Sequence, residues 1–221
     1  MPIRRSDQPA GGASTGLAEQ CVVDVFEGEI CGFGSASGHR IVVGRWTASP
    51  LGAFADVMLE DAAGHRTLLA PDQAVADYVT ATYSFDEVIV GRVDTRRKRG
   101  LLGVSAGALR AEVAVGRRTA LGFALLAVPR PIRRSRGFAT AVDPIARRVL
   151  RGVRTKGTAG NGRTEWYSAS DVHGLDSIVA TLDGVDLGAL ADVWPPVGFG
   201  FGSTPRTPSI VAVRTTIARP G

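Results

Sequence analysis

The sequence is poor in the residues that build metal sites and disulfides. Two cysteines, Cys21 and Cys31, and three histidines are present among 221 residues. No CxxC or HxxxH pair occurs, and a structural zinc site usually takes four such ligands. We therefore predict no metal and no other cofactor. The two cysteines are expected to be reduced thiols, although their spacing would also allow a bridge across a hairpin.

Long apolar segments are also missing. The longest apolar run, 120–128, is far shorter than the roughly 18 residues that a transmembrane helix requires. The pair Arg4-Arg5 near the N-terminus is followed by polar and small residues and not by the apolar region of an export signal. These features predict a cytoplasmic protein with a disordered tail at 1–18 and a single domain at 19–221.

Lysine is scarce, since Lys98 and Lys156 are the only lysines among 26 basic residues. Arginine in this excess, together with abundant alanine and glycine, is typical of a high-GC bacterial genome. A single arginine is therefore weak evidence for an anion site. The distribution of charge says more than the choice of basic residue.

The segment from Arg96 to Lys156 holds sixteen basic and two acidic residues, whereas the rest of the chain is acidic. One interpretation is an anion-binding patch, because clustered positive charge attracts phosphate or carboxylate groups. The other is that the segment packs against the acidic remainder of the same chain. The first interpretation gives five candidate anion-contacting residues: Arg133, Arg134, Arg136, Arg147 and Arg148.

Nucleic acid is the less favoured anionic partner. The basic segment contains Phe123 and Phe138 but no tyrosine or tryptophan, so it offers few stacking platforms for bases. No helix-turn-helix, zinc-finger, RRM or KH pattern is visible. The mixture of arginine with leucine, isoleucine and valine is closer to an interfacial membrane segment or to a cap over a pocket.

Strand patterns outnumber helical patterns about ten to three, and most strands occur in pairs joined by short turns. The sequence therefore predicts an α+β, mainly antiparallel fold, a curved sheet or barrel-like single domain. The basic helical segment, at about 117–157, should cover one end or one face. Its last helix should begin at Asp143, which is a good N-cap. This architecture resembles the small β-barrel ligand binders of the lipocalin type.

The segment 197–202 alternates glycine with phenylalanine. In a strand this pattern places Gly198 and Gly200 on one face and Phe199 and Phe201 on the other. A bare glycine face permits a ligand to approach, although close packing of strands is the commoner cause. With these four residues we group three large aromatic residues that could form pocket walls: Trp166, Tyr167 and Trp194.

His173 and Asp171 form the best acid–base pair that can be named from the sequence. They lie two residues apart, on the same face of a predicted strand. Histidine beside a carboxylate is a common general base.

Two main hypotheses of function follow. The first is a non-catalytic binder of a small amphipathic or anionic ligand in a barrel-like pocket. The second is an enzyme centred on His173 and Asp171. A third interpretation is peripheral binding to an anionic membrane or nucleic acid through 96–156.

Overall fold

The computed structural model describes residues 21–149, 155–158, 162–200 and 204–219, with side chains except at 144–149. The predicted tail at 1–18 and the candidate residue Phe201 lie outside this description, as do the side chains of Arg147 and Arg148. The assignment of 19–221 to one domain stays a prediction.

The described chain forms one curled half-barrel sheet of mainly antiparallel strands with four helices, which confirms the predicted fold class. None of these four helices has the length and apolar composition that crossing a bilayer requires. The strands are β1 (Val22–Ser35), β2 (Arg40–Ala48), β3 (Phe54–Glu60), β4 (Arg66–Ala70), β5 (Glu87–Val90), β6 (Val93–Lys98), β7 (Leu101–Ala106), β8 (Leu109–Arg118), β9 (Lys156–Thr158), β10 (Thr164–Leu182), β11 (Val185–Asp186), β12 (Leu190–Ala191) and β13 (Ser209–Arg219). The helices are α1 (Gln73–Thr80), α2 (Ala120–Ala127), α3 (Arg130–Arg133) and α4 (Arg136–Val149).

The main path of the sheet runs β5-β4-β3-β2-β1-β13-β10-β8-β7-β6. Neighbouring strands pair antiparallel except β4 and β5, which pair in parallel across α1. The last long strand, β13, closes the order by pairing with β1 on one side and β10 on the other. The sheet is therefore two runs of local hairpins joined by one long-range pairing.

One face of the sheet is packed with mainly aliphatic side chains. Phe33 from β1, Ile41 from β2, Val57 from β3 and Leu109 from β8 are fully buried in one cluster, which extends to β7, β10 and β13. Their neighbours along each strand point to the opposite face, because side chains alternate in a strand. We call the packed side the closed face and the opposite side the open face.

The basic helical segment covers part of the closed face, as expected. Helices α2, α3 and α4 all contact β10. Ser168 on β10 bonds the carbonyl of Ser135, and the Trp166 indole donates to Thr140 Oγ1 at 3.2 Å. The segment is thus held on the sheet by polar contacts and by partial apolar packing.

Asp143 does not begin a helix, so the N-cap prediction is wrong. Helix α4 begins seven residues earlier, where Ser135 Oγ accepts a hydrogen bond from the Phe138 amide. The Asp143 carboxylate instead accepts from the amides of Thr155 and Lys156 at 2.8 and 3.0 Å. A capping residue looks the same in sequence whether it caps its own helix or binds a distant amide.

The segment 197–200 is not a strand, so the predicted alternation of two faces fails there. Its backbone groups bind side chains and a loop instead of a neighbouring strand. The Gly198 amide donates to Glu60, the Gly198 carbonyl accepts from Arg66, and the Phe199 carbonyl accepts from Ser84. A second difference is that 87–106 forms three strands, whereas the sequence pattern predicts one, at 88–93.

Candidate ligand-binding cavity

The open face of the sheet carries a cavity of about 70 Å³. Its floor comes from β1, β2, β3, β10 and β13, and its cover comes from α1, the residue Tyr83 and the segment 197–200. That volume is enough for several water molecules or a small organic molecule. Seven aromatic side chains, half of those in the chain, line it: Phe26, Trp46, Phe54, Tyr78, Tyr83, Tyr167 and Phe199.

A carboxyl group and two phenols form the first polar group of the cavity. Glu165 is 1% exposed, and the Tyr83 hydroxyl lies 3.0 Å from both of its carboxyl oxygens. The Tyr83 and Tyr167 hydroxyls are also 3.0 Å apart. Burial raises the pKa of Glu165 to about 7, although hydrogen bonds from Tyr83 and Tyr167 act in the opposite direction. Burial, and then the Glu165 charge, raise the pKa of Tyr83 well above its ordinary value, so this phenol keeps its proton.

A second carboxyl, Asp56 on β3, lies in the same cavity and is 2% exposed. The Trp46 indole nitrogen donates to Asp56 Oδ1 at 3.0 Å. Gly44 stands opposite Asp56 in the β2–β3 register, and a Cβ there would overlap both the carboxylate and the indole nitrogen. Burial raises the pKa of Asp56 to about 6, against the effect of the Trp46 hydrogen bond.

No lysine, arginine or histidine lines the cavity within the described residues. Two arginines instead contact residues at the edge of the cavity. Arg219 donates to Asp24 at 2.7 Å, and the Tyr78 hydroxyl donates to the same carboxylate oxygen at 2.8 Å. Arg163 lies over the Tyr78 ring and donates to Thr82 Oγ1. These contacts fix the tyrosine ring in the cavity wall without placing a positive charge inside.

The hydroxyl of Thr215 on β13 is a further polar group of the lining. Thr215 is 2% exposed, and its Oγ1 has no hydrogen-bond partner in the described chain. It stands directly opposite Tyr167 in the β10–β13 pairing. A buried polar group without a partner is costly, so each such group in a folded protein calls for an explanation.

Of the predicted pocket residues, three lie in the cavity wall: Tyr167, Phe199 and Gly200. Gly198 is adjacent and binds Glu60 through its amide. Trp166 lies on the other face of β10, where the Arg136 guanidinium and the Lys156 ammonium stack on its ring. Trp194 is 56% exposed and lies beneath Arg206.

His173 and Asp171 are close together, with Nε2 and Oδ2 3.4 Å apart, but they do not line the cavity. Asp171 is held by two hydrogen bonds from Arg118, at 2.8 and 2.9 Å, which lower its pKa. His173 Nδ1 lies 3.1 Å from the Gly116 carbonyl oxygen. The pair is thus part of the contact between β8 and β10, and its proposed catalytic role stays a prediction.

The predicted anion-contacting arginines have partners within the chain. Arg134 forms an ion pair with Glu27, Arg136 stacks on Trp166, and Arg133 donates to the Leu125 carbonyl. Phe123 on α2 is nevertheless 61% exposed, and Arg130 beyond the helix is exposed as well. Contact with an anionic surface stays a prediction for this part of the molecule.

The sequence reasoning missed the two carboxyls that line the cavity. Asp56 lies between Phe54 and Met58 on one face of β3, so a charged residue stands between two apolar ones there. That interruption was a usable signal, because a charged residue on a buried strand face is rare unless it is paired or functional. Glu165 gave no comparable signal, since it stands near the start of its strand and 109 residues after Asp56.

In the part of the chain that the structure describes, no group of three or more histidine, cysteine or acidic residues could hold a metal ion. No family model matches the sequence, and no curated protein matches it. The chain is similar to the crystal structure of acetoacetate decarboxylase from Legionella pneumophila subsp. pneumophila strain Philadelphia 1. The identity is 11% and the TM-score 0.41, over 100% of this chain and 90% of that chain. A likeness of this size carries no inference about activity.

Proposed function

We propose that this protein binds a small, largely apolar organic molecule in the cavity on the open face of the sheet. The observation that carries this proposal is the gathering of seven aromatic side chains around an unfilled space that also contains buried polar groups. Ligand sites are commonly apolar concavities with a few convergent polar groups. A cavity left only by imperfect packing would have an apolar lining.

The polar groups bear on the kind of molecule that would bind. An anionic head, as the basic segment suggested, would meet the carboxyls of Asp56 and Glu165 and no basic side chain among the described lining residues. Like charges at close range in a poorly solvated site repel strongly. The lining therefore favours a neutral or positively charged ligand that can donate a hydrogen bond.

The proposal is tested by calorimetric titration with benzene, a small apolar probe. We expect saturable binding by the wild-type chain and loss of binding in Val42→Trp, because Val42 lies on the cavity floor and an indole would fill the space. Val179→Trp is the matched control, because Val179 is 70% exposed and lies outside the cavity.

Native mass spectrometry of the purified protein adds an independent measurement. A non-covalent mass excess that is lost in Val42→Trp would identify the ligand that the cavity holds. Failure of the wild-type chain to bind benzene, with a bare native mass, would contradict the proposal. His173→Gln should bind benzene like the wild type, because His173 does not line the cavity.

A second candidate function is general acid–base catalysis at Glu165. The observation in its favour is a carboxyl with a pKa raised to about 7, hydrogen-bonded to a phenol inside a concavity. Such a group can accept and return a proton near neutral pH. Incubating the protein in D₂O with the molecule that co-purifies, and following that molecule by NMR, would detect turnover or proton exchange. Both should be lost in Glu165→Gln if Glu165 carries the proton.

A further inference from the structure

We propose that the ligand of this cavity is a small organic cation, whose positive charge is balanced by the two cavity carboxyls, Asp56 and Glu165, while its hydrocarbon part packs against the aromatic wall. This inference rests on the proposed function and names the chemical class of its ligand. Three observations lead to it: two unpaired buried carboxyls, an aromatic lining and a hydroxyl without a partner.

The first observation concerns charge. The chain has more basic than acidic residues, and two other buried carboxylates in the described ranges are paired with arginine: Asp24 with Arg219, and Glu60 with Arg40. Asp56 and Glu165 are more deeply buried than either, yet they form no ion pair in the described part of the chain. Buried charges are normally paired because an isolated one is costly. The missing positive charge is what a cationic ligand would supply.

The second observation concerns the walls. Phe26, Trp46 and Phe54 all line the cavity, where they pack edge-on or tilted against one another. The quadrupole of an aromatic ring attracts a cation over its face, and sites built from several such rings recognise ammonium ions. The same attraction already pairs Arg163 with Tyr78 in the cavity wall and, elsewhere in the chain, Arg206 with Trp194.

The third observation is independent of charge. Thr215 Oγ1 lies in the lining, almost fully buried, and no described group binds it. A hydroxyl oxygen can accept a hydrogen bond from the N–H of an ammonium group. Thr215 stands opposite Tyr167, whose hydroxyl is beside that of Tyr83, so this acceptor lies on the Glu165 side of the cavity.

The inference is tested with two probes of nearly equal shape, butylammonium and 1-butanol, titrated at pH 8 and low salt. We expect butylammonium to bind the wild-type chain at least about tenfold more tightly than 1-butanol, because it alone carries charge. In the double variant Asp56→Asn, Glu165→Gln this preference should disappear while 1-butanol still binds. The matched control is Glu112→Gln, Asp183→Asn, which removes two exposed carboxylates outside the cavity and should keep the preference.

Proton release gives a second readout. The titratable groups facing the cavity are Asp56 from β3, Tyr78 from α1, Tyr83, and Glu165 and Tyr167 from β10. Because the pKa of Glu165 is about 7, part of its population is protonated at pH 7, and a bound cation would expel that proton. Titration in two buffers of different ionisation enthalpy should therefore show proton release with butylammonium, none with 1-butanol, and much less in Glu165→Gln.

The possible results separate the inference from the proposed function. Equal or tighter binding of 1-butanol, abolished by Val42→Trp, would overturn the cationic ligand and leave a cavity for neutral molecules. A preference for butylammonium that survives in the double variant would also overturn the inference, because the charge would then be held elsewhere. If butylammonium, 1-butanol and benzene all fail to bind, the inference and the proposed function fall together.

Discussion

The two faces of one sheet differ in what alternate residues of the same strands contribute. On β2, Ile41 and Val43 belong to the closed core, whereas Val42, Gly44 and Trp46 line the cavity. On β3, Val57 and Leu59 are closed-face residues, and Phe54, Asp56 and Met58 face the cavity.

The closed face is mainly aliphatic, whereas the open face combines apolar clusters with aromatic and polar groups around a cavity. Because alternate residues of a strand point to opposite faces, one set of side chains packs the core and the other set lines the cavity. Close packing on one face supplies apolar burial, which is the dominant favourable term in folding. Unpaired polar groups on the other face each cost stability. A change at one residue can therefore be compared with a change on the neighbouring face of the same sheet.

The largest expected effect is on the closed face. Phe33→Ala should lower the free energy of unfolding by about 3–5 kcal/mol, because it opens a void in a packed core. Phe199→Ala, on the cavity wall, should cost less, about 1–3 kcal/mol, since the adjacent space lets the surroundings adjust. Urea denaturation of both variants measures the difference. Equal losses would mean that the two faces are packed alike.

The second largest expected effect is a change of stability with pH, and it involves Glu165 on the open face. The pKa of Glu165 is raised from 4.5 to about 7 in the folded protein, so the folded state holds this proton more tightly than the unfolded state does. The stability that this group contributes is therefore complete below about pH 4.5 and is lost as the pH rises through 7.

Glu165→Gln removes this titration and keeps an oxygen that can accept from the two phenols. Relative to the wild type, the variant should gain on the order of 3 kcal/mol of stability between pH 4.5 and pH 8. Denaturation at a series of pH values measures the difference between the two proteins, in which contributions from other groups largely cancel. A difference that does not change with pH would mean that Glu165 titrates normally in the folded state.

The smallest effect separates two hydroxyls of the same cavity. Thr215→Val replaces an unpartnered hydroxyl by a methyl group and should raise stability by about 1 kcal/mol. Thr82→Val should lower stability by a similar amount, about 1 kcal/mol, because Thr82 Oγ1 donates to the Tyr78 carbonyl and accepts from Arg163. Thermal unfolding compares the two signs. A loss of stability in Thr215→Val would indicate a partner for its hydroxyl, such as a bound water.

The fold was largely predictable because its hairpins are local. Strands β3 and β4 are apolar-rich segments on either side of the turn residues 61–64, a local pattern that is typical of a hairpin. The errors arose where backbone groups find partners outside a regular strand or helix. Gly198 binds the Glu60 side chain, and Asp143 binds amides beyond the end of α4, and neither contact leaves a local trace in sequence.

The site was less predictable because it is assembled across the sheet. Tyr167 was named as a pocket residue for its size and Phe199 for the alternation of glycine with phenylalanine. Asp56 and Glu165, in contrast, reach the same cavity only through the long-range pairings of β13 with β1 and β10. His173 and Asp171 drew attention because they are neighbours in sequence. They are close in space because they lie two residues apart on one strand, and neither of them lines the cavity.

The length of β10 has a consequence for how the cavity can open. One continuous strand carries Glu165 and Tyr167 in the cavity floor and Ile178 and Ala180 in the closed core. Moving the floor would therefore disturb a strand that also belongs to the closed core. The cover is not part of the sheet and is held by separate contacts, such as the hydrogen bond from the Ser84 amide to the Phe199 carbonyl at 2.7 Å. Ligand exchange should thus be governed by transient opening of α1 and 197–200, at a free-energy cost well below that of global unfolding.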